Sequence, residues 1–175
     1  MDQPKTDRVT QTQIVALVTA ALHDFYIRDQ MLFRDLDDSN AVSERTMAAR
    51  IGFYLERHRG IIGSLDELSI DLEYNRNFNA PKSIYSLMTQ QRRNVIPDLL
   101  IHLRNSNEEN LLVIEFKKGT PPRSQQLHDE EKLRYFTDPR WEYRYRYGMS
   151  IELHPHNARI TLYREGHPVE TFCYM

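Results

Sequence analysis

The sequence predicts an α/β fold, a central mixed β-sheet flanked by α-helices, and three observations carry that expectation. Apolar residues recur at helical spacing in two early segments. Residues 94–118 (NVIPDLLIHLRNSNEENLLVIEFKK) hold two apolar runs without helical period, joined by the polar connector 105–110, which is the pattern of a β-hairpin with a longer loop. A third helical segment follows, and then a further strand and a closing hairpin.

Residues 1–10 are polar, contain Pro4, and read as a loose N-terminal arm. From Gln11 to about Leu36, residues Ile14, Leu17, Val18, Ala21, Leu22, Phe25 and Tyr26 mark a long first helix. Residues 35–40 (DLDDSN) end it. That acidic run lacks the glycine and final glutamate of an EF-hand and reads as a loop and helix cap. A second helix spans about Val42 to His58, with Glu44, Ala48, Ile51 and Leu55 on one line. Glu44 on that line has two readings, a first-turn acid favoured by the helix dipole or a carboxylate aimed at a site.

After a turn at Gly60 to Gly63, residues 68–75 alternate. Leu68, Ile70, Leu72 and Tyr74 take one face, and Ser69, Asp71, Glu73 and Asn75 take a wet one. Residues 78–93 read as irregular or briefly helical, a loop over the site, and the run Gln90 to Arg93 has two readings, a contact to a phosphate backbone or an ordinary solvated turn. Beyond Lys118 a turn leads to a helix from Ser124 to about Phe136, with Leu127, Leu133 and Phe136 inward and Asp129 with Lys132 as a surface ion pair. From Trp141 to His154, Tyr143, Tyr145 and Tyr147 alternate with Arg144 and Arg146, which suits a strand with buried tyrosines and, alternatively, a base-stacking surface. Residues 157–164 and 169–174 form the last hairpin through Glu165-Gly166. His154-Pro155-His156 has no third ligand at a useful spacing and reads as a turn.

The chemistry concentrates in the hairpin. Asp98 shares a face with Leu100 and His102, and Glu115 shares one with Val113 and Lys117. The midpoint of Asp98 and Glu115 falls between Ser106 and Asn107, inside the connector, so a symmetric hairpin sets the two carboxylates roughly 5 Å apart at Cβ. Facing like charges are destabilising unless a cation lies between them, and oxygen donors favour a hard divalent ion such as Mg²⁺. Two carboxylates and an ammonium around such an ion suit phosphodiester hydrolysis.

Pro97-Asp98, sixteen residues, then Glu115-Phe116-Lys117 resembles the signature of the PD-(D/E)xK nuclease superfamily, with its restriction-endonuclease-like core. The resemblance covers about Ser43 to Met149. It implies a metal-dependent nuclease acting on nucleic acid, DNA above all, as an endo- or exodeoxyribonuclease using Mg²⁺ or Mn²⁺. By the same resemblance Asp98, Glu115 and the Phe116 carbonyl hold the metal, Glu44 assists, and Lys117 orients the attacking water. The segment EYNR (Glu73 to Arg76) is similar to one preceding this strand in small bacterial members, which makes Glu73 and Arg76 second-tier contacts. A lysine-leucine pair in the following helix is common in such proteins, adding Lys132, and His102 joins as a residue on the face of Asp98. The rival expectation is a catalytically silent module that keeps the fold to bind nucleic acid or protein.

Composition narrows the rest. The 175 residues, 40% hydrophobic and 27% charged, suit one globular domain over 1–175. A net charge of −2 excludes a polycation that coats nucleic acid. Cys173 is the single cysteine, expected as a small buried hydrophobe. It excludes an internal disulfide and fits a reducing, cytoplasmic setting. No apolar run is long enough to span a bilayer, so no membrane association is expected. A homodimer or a partner protein is compatible with paired cutting. No glycine-rich phosphate loop or nucleophile elbow is present.

Overall fold

The computed structural model describes residues 5–33, 42–63 and 67–175. A six-stranded mixed sheet runs in the order β1 (Ser69–Leu72), β6 (Leu99–His102), β7 (Asn110–Lys118), β8 (Tyr147–Leu153), β9 (Ala158–Arg164), β10 (His167–Tyr174), between helices α1 (Gln11–Arg28) and α2 (Glu44–Arg57) on one face and α3 (Arg123–Thr137) on the other. Only β7 and β8 pair in parallel, and α3 is the crossover between them. This is the element order expected from sequence, with two small hairpins added between β1 and β6.

Local chemistry explains the helix ends. Thr10 caps α1 in a reciprocal capping box with Gln13, and Ser43 caps α2 by accepting the Thr46 N–H at 3.2 Å. Helix α1 is shorter than expected and gives way to a 3-10 turn at Gln30–Phe33, and the acidic run 35–40 lies outside the described residues. Asp29, at the C-terminal cap of α1, accepts Tyr54 Oη at 2.6 Å and Arg50 Nε at 2.8 Å, binding α2 to α1. The N-terminal segment is anchored rather than loose from Lys5 onward. Lys5–Arg8 form a 3-10 turn whose Lys5 and Thr6 amides donate to Glu109, and Val9 is buried.

Strand β7 is covered on both faces, which is why its sequence is nearly continuous in apolar residues. Leu112, Ile114 and Phe116 join Leu99 and Ile101 against α1 and α2, while Val113 and Leu100 pack with Leu133 and Phe136 of α3. Gly148 of β8 lies beneath α3, where an added Cβ would sit 3.0 Å from Thr137 Cγ2 and 3.3 Å from Leu133 Cδ2.

The structure corrects several expectations. Residues 78–93 belong to two hairpins, β2 (Arg76–Asn77) with β3 (Ala80–Pro81) and β4 (Ser83–Ser86) with β5 (Gln91–Asn94). Their cross-strand partners were obscured by the short strands and polar side chains. Strand β1 ends at Leu72, and Asp71 is not on a wet face: it pairs with His102 and Arg104. Tyr143 and Tyr145 are buried with Arg144 exposed, as alternation predicts, yet regular pairing begins only at Tyr147. Tyr143 Oη instead clamps the second hairpin, accepting Ser83 N–H at 2.8 Å and donating to Ser83 O at 3.0 Å. Leu127 is 37% exposed rather than turned inward, and Cys173 is exposed on the edge strand β10. No helix among the described residues is long and apolar enough to cross a membrane.

Gly148→Ala should lower stability by about 1–3 kcal/mol through overpacking. The check is a reduced melting temperature with an unchanged far-UV circular dichroism spectrum.

Candidate active site

The site forms where β7 runs out from under the core. Its pairing with β6 aligns Leu99 with Ile114, so the same register brings Asp98, in the bend before β6, beside Glu115. Pro97 is buried at that bend, and Asp98 is fastened by its own chemistry. Its Oδ2 accepts the Phe116 N–H at 2.7 Å, and its carbonyl accepts the Glu73 N–H at 3.1 Å. Glu115 is only 1% exposed. Lys117, two residues on, lies on the same side but nearer the rim, because side chains alternate along the strand.

Helices α3 and α2 complete the cluster. Lys132 Nζ donates to Glu115 Oε2 and lies 3.2 Å from Asp129 Oδ1. Lys117 Nζ lies 3.2 Å from Asp129 Oδ2 and 3.5 Å from Glu44 Oε2, and it donates to the Phe116 carbonyl at 2.9 Å. Glu44, the first residue of α2, accepts the Lys118 N–H at 2.9 Å through its other oxygen. Five side chains from three elements (Glu44, Glu115, Lys117, Asp129 and Lys132) therefore form one ion-paired network, with Asp98 alongside.

Burial sets the electrostatics. Desolvation raises the Asp98 carboxyl above its ordinary range, and it pushes Glu115 up to about 8, against the attraction of Lys132. Lys117 and Lys132 are also desolvated, which disfavours their charge, but the carboxylates around them outweigh that and raise both. Glu115 Oε1 is buried with no hydrogen-bond partner. A buried, unpartnered carboxylate oxygen beside a second carboxylate fits a cation donor, and Asp98, Glu115 and the Phe116 carbonyl are hard ligands suited to Mg²⁺ or Mn²⁺. Among the described residues no group of three or more His, Cys, Asp or Glu side chains is arranged to hold a metal. An ion here would rest on two carboxylates, a carbonyl and water, a pattern Mg²⁺ accepts.

The structure thus brings Asp98, Glu115, Phe116, Lys117, Glu44 and Lys132 together. Glu73 stands at the margin, its carboxylate paired with Arg45 at 2.7 Å. Arg76 is exposed on β2 and offers its carbonyl to Lys82. His102 is outside the site, since it lies four steps along the strand from Asp98, roughly 13 Å. It pairs with Asp71 at 3.0 Å, with Tyr74 edge-on to its ring. Sequence reasoning missed Asp129, which is 5% exposed and links both lysines rather than forming a surface pair. Its signal was available: Asp129, Lys132, Leu133 and Phe136 fall on one helical face.

The chain matches no protein-family model, and no curated protein matches it.

Because the Glu115 carboxyl is raised from 4.5 to about 8 in the folded protein, its contribution to stability is full below pH 4.5 and is lost as pH rises through about 8. Glu115→Gln, which cannot ionise, should escape that loss. In metal-free buffer the melting temperature of the variant should gain on wild type from pH 5 to pH 8.5, as thermal scans across that range would reveal. A constant difference would contradict the raised carboxyl.

Proposed function

We propose that this protein is a Mg²⁺- or Mn²⁺-dependent nuclease of the PD-(D/E)xK type, hydrolysing phosphodiester bonds in nucleic acid with DNA as substrate. The observation that carries this reading is the buried Glu115 carboxylate, with one oxygen on Lys132 and the other unpartnered, set beside Asp98 and below Lys117. When bound there, a hard divalent ion would supply Lewis-acid polarisation of a phosphoryl oxygen and acidify water.

The chain's own groups have separable tasks. Lys117, at the rim, faces the phosphate, where its ammonium offsets charge developing on the phosphoryl oxygens and orients the attacking water. Asp129 holds the Lys117 and Lys132 ammoniums. Lys132 holds Glu115 Oε2 and so sets the direction of Oε1. Glu44 steadies the end of β7 through the Lys118 amide. A polyanionic substrate is supported by the groove of about 270 Å³ that leads from Lys117 past Arg123, Arg134 and Arg159. Its acids Asp129, Glu130 and Glu152 pair with Lys117, Arg123 and Arg159, at 3.2 Å, 3.4 Å and 3.5 Å, which leaves Arg134 with no carboxylate partner among the described residues.

A silent binding module with the same fold has one observation in its favour, the direct Lys132–Glu115 pair, which satisfies half of the carboxylate without a cation. Activity separates the two readings.

Incubated with Mg²⁺ or Mn²⁺, wild type should cut single-stranded DNA, with supercoiled and linear DNA and RNA run beside it as comparison substrates. Asp98→Ala and Lys117→Ala should each lose about 100-fold or more. Equal activity in all three proteins would sink the assignment. Wild type should also gain about 2.7 kcal/mol of stability at a metal concentration 100 times Kd, a gain that Asp98→Ala should diminish. The metal must displace the Glu115 proton, so its apparent Kd should fall by about tenfold per pH unit up to pH 8, measurable by calorimetry.

A further inference from the structure

A second concavity, about 660 Å³, lies over the solvent side of α3 between the tip of the β4–β5 hairpin and the turn joining β9 to β10. Its walls carry Leu87, Met88 and Leu127, all exposed, and the half-buried Trp141, whose ring stacks on Tyr135 at 4.6 Å between centroids and 16° between planes. No role in the network at Glu115 accounts for this aromatic and thioether surface in water. The hairpin tip is held in place deliberately. Glu131 accepts the Leu87 N–H at 2.7 Å and Ser86 Oγ at 3.0 Å, and it pairs with Arg93 at 2.9 Å.

Charge identifies the occupant. The wall carboxylates are each neutralised locally, Glu131 by Arg93, Asp138 by Arg140 at 2.6 Å, and Glu130 by Arg123. Arg134 pairs with no carboxylate among the described residues, and its hydrogen bond is to the Gly166 carbonyl at 3.3 Å. That uncompensated guanidinium lines both this groove and the one leading from Lys117. Along α3 the six steps from Asp129 to Tyr135 cover about 9 Å, which two to three nucleotides span at the ~3.4 Å per-strand spacing of stacked DNA.

We infer that this groove receives an unpaired nucleobase of the strand whose phosphate lies at Lys117, with Trp141 as the stacking surface and Arg134 on an adjoining phosphate. The inference rests on the nucleic-acid reading above and deepens it: the substrate presents single-stranded or locally opened DNA, because a base within a duplex cannot reach such a surface.

Trp141 is the only tryptophan in the chain, so its emission reports on this groove alone. The full chain in EDTA would be titrated with a fluorescein-labelled twelve-nucleotide single strand and with a blunt duplex of the same sequence, reading tryptophan emission and anisotropy together. The expected result is saturable quenching by the single strand, at least fivefold weaker binding of duplex, and roughly five- to tenfold weaker single-strand binding by Leu87→Ser and by Arg134→Gln. Leu87 is 75% exposed, so its replacement leaves the fold intact. Oligonucleotide binding without change in Trp141 emission would overturn the inference, as would absence of binding. Emission that shifts with protein concentration alone would overturn it too, assigning the groove to a second copy of the chain. Quenching without metal-dependent cutting would defeat only the nuclease reading. Cutting without quenching would defeat only the groove.

Discussion

Glu115 is ionisable, almost wholly enclosed, and placed on a central strand, β7, whose other enclosed residues are nearly all apolar. A charge in that position is expensive unless paired, and the pair must itself be hydrogen-bonded to repay its desolvation. The surrounding structure answers that demand in sequence. Lys132 meets one oxygen, Asp129 balances Lys132, and Lys117 balances Asp129. Lys132 and Asp129 remain buried, and the network reaches the rim only at Lys117 and Glu44. Removing any inner member leaves its neighbour with an uncompensated charge, so the network behaves as a unit rather than as a sum of pairs.

The parallel pairing of β7 with β8 makes this network attainable. A parallel pair requires a crossover, and the crossover helix α3 is what places Asp129 and Lys132 over the face that carries Glu115. Gly148 is the concession that lets α3 approach β8 closely while its hydrophobic side, Leu133 and Phe136, remains packed. The outer side of the same helix does separate work, because Glu131 ties down the β4–β5 hairpin and builds a wall against Trp141. One helix thus carries inward charge for the proposed catalytic chemistry and outward surface for holding the proposed substrate.

A second polar cluster occupies the far end of β6, where Asp71 binds His102 and Arg104. Burial holds the His102 imidazole below its ordinary value and pushes nearby Lys82, with its ammonium over the Tyr74 and Tyr143 rings, down to about 8. These groups seal the small hairpins to the sheet. Their distance from Glu115 explains how His102 can share a strand face with Asp98 without sharing its chemistry.

The sequence by itself determined the order of helices and strands along the chain, the register that sets Asp98 beside Glu115, and the faces of β7, because strand alternation and helical period are local properties written in successive residues. It also carried the closing hairpin and the buried line of α2. Tertiary structure alone decided the remainder. Helical period puts Asp129 on the inner face with Lys132, Leu133 and Phe136, but how far α3 approaches the sheet, and so whether Asp129 links both lysines, is set by tertiary packing. The hairpins between β1 and β6 rest on cross-chain hydrogen bonds from Tyr143 and Glu131, residues 60 and 44 positions from the Ser83 and Leu87 they hold. Such contacts arise between surfaces that meet only after the chain has folded, so their side chains read as ordinary polar and aromatic residues until then.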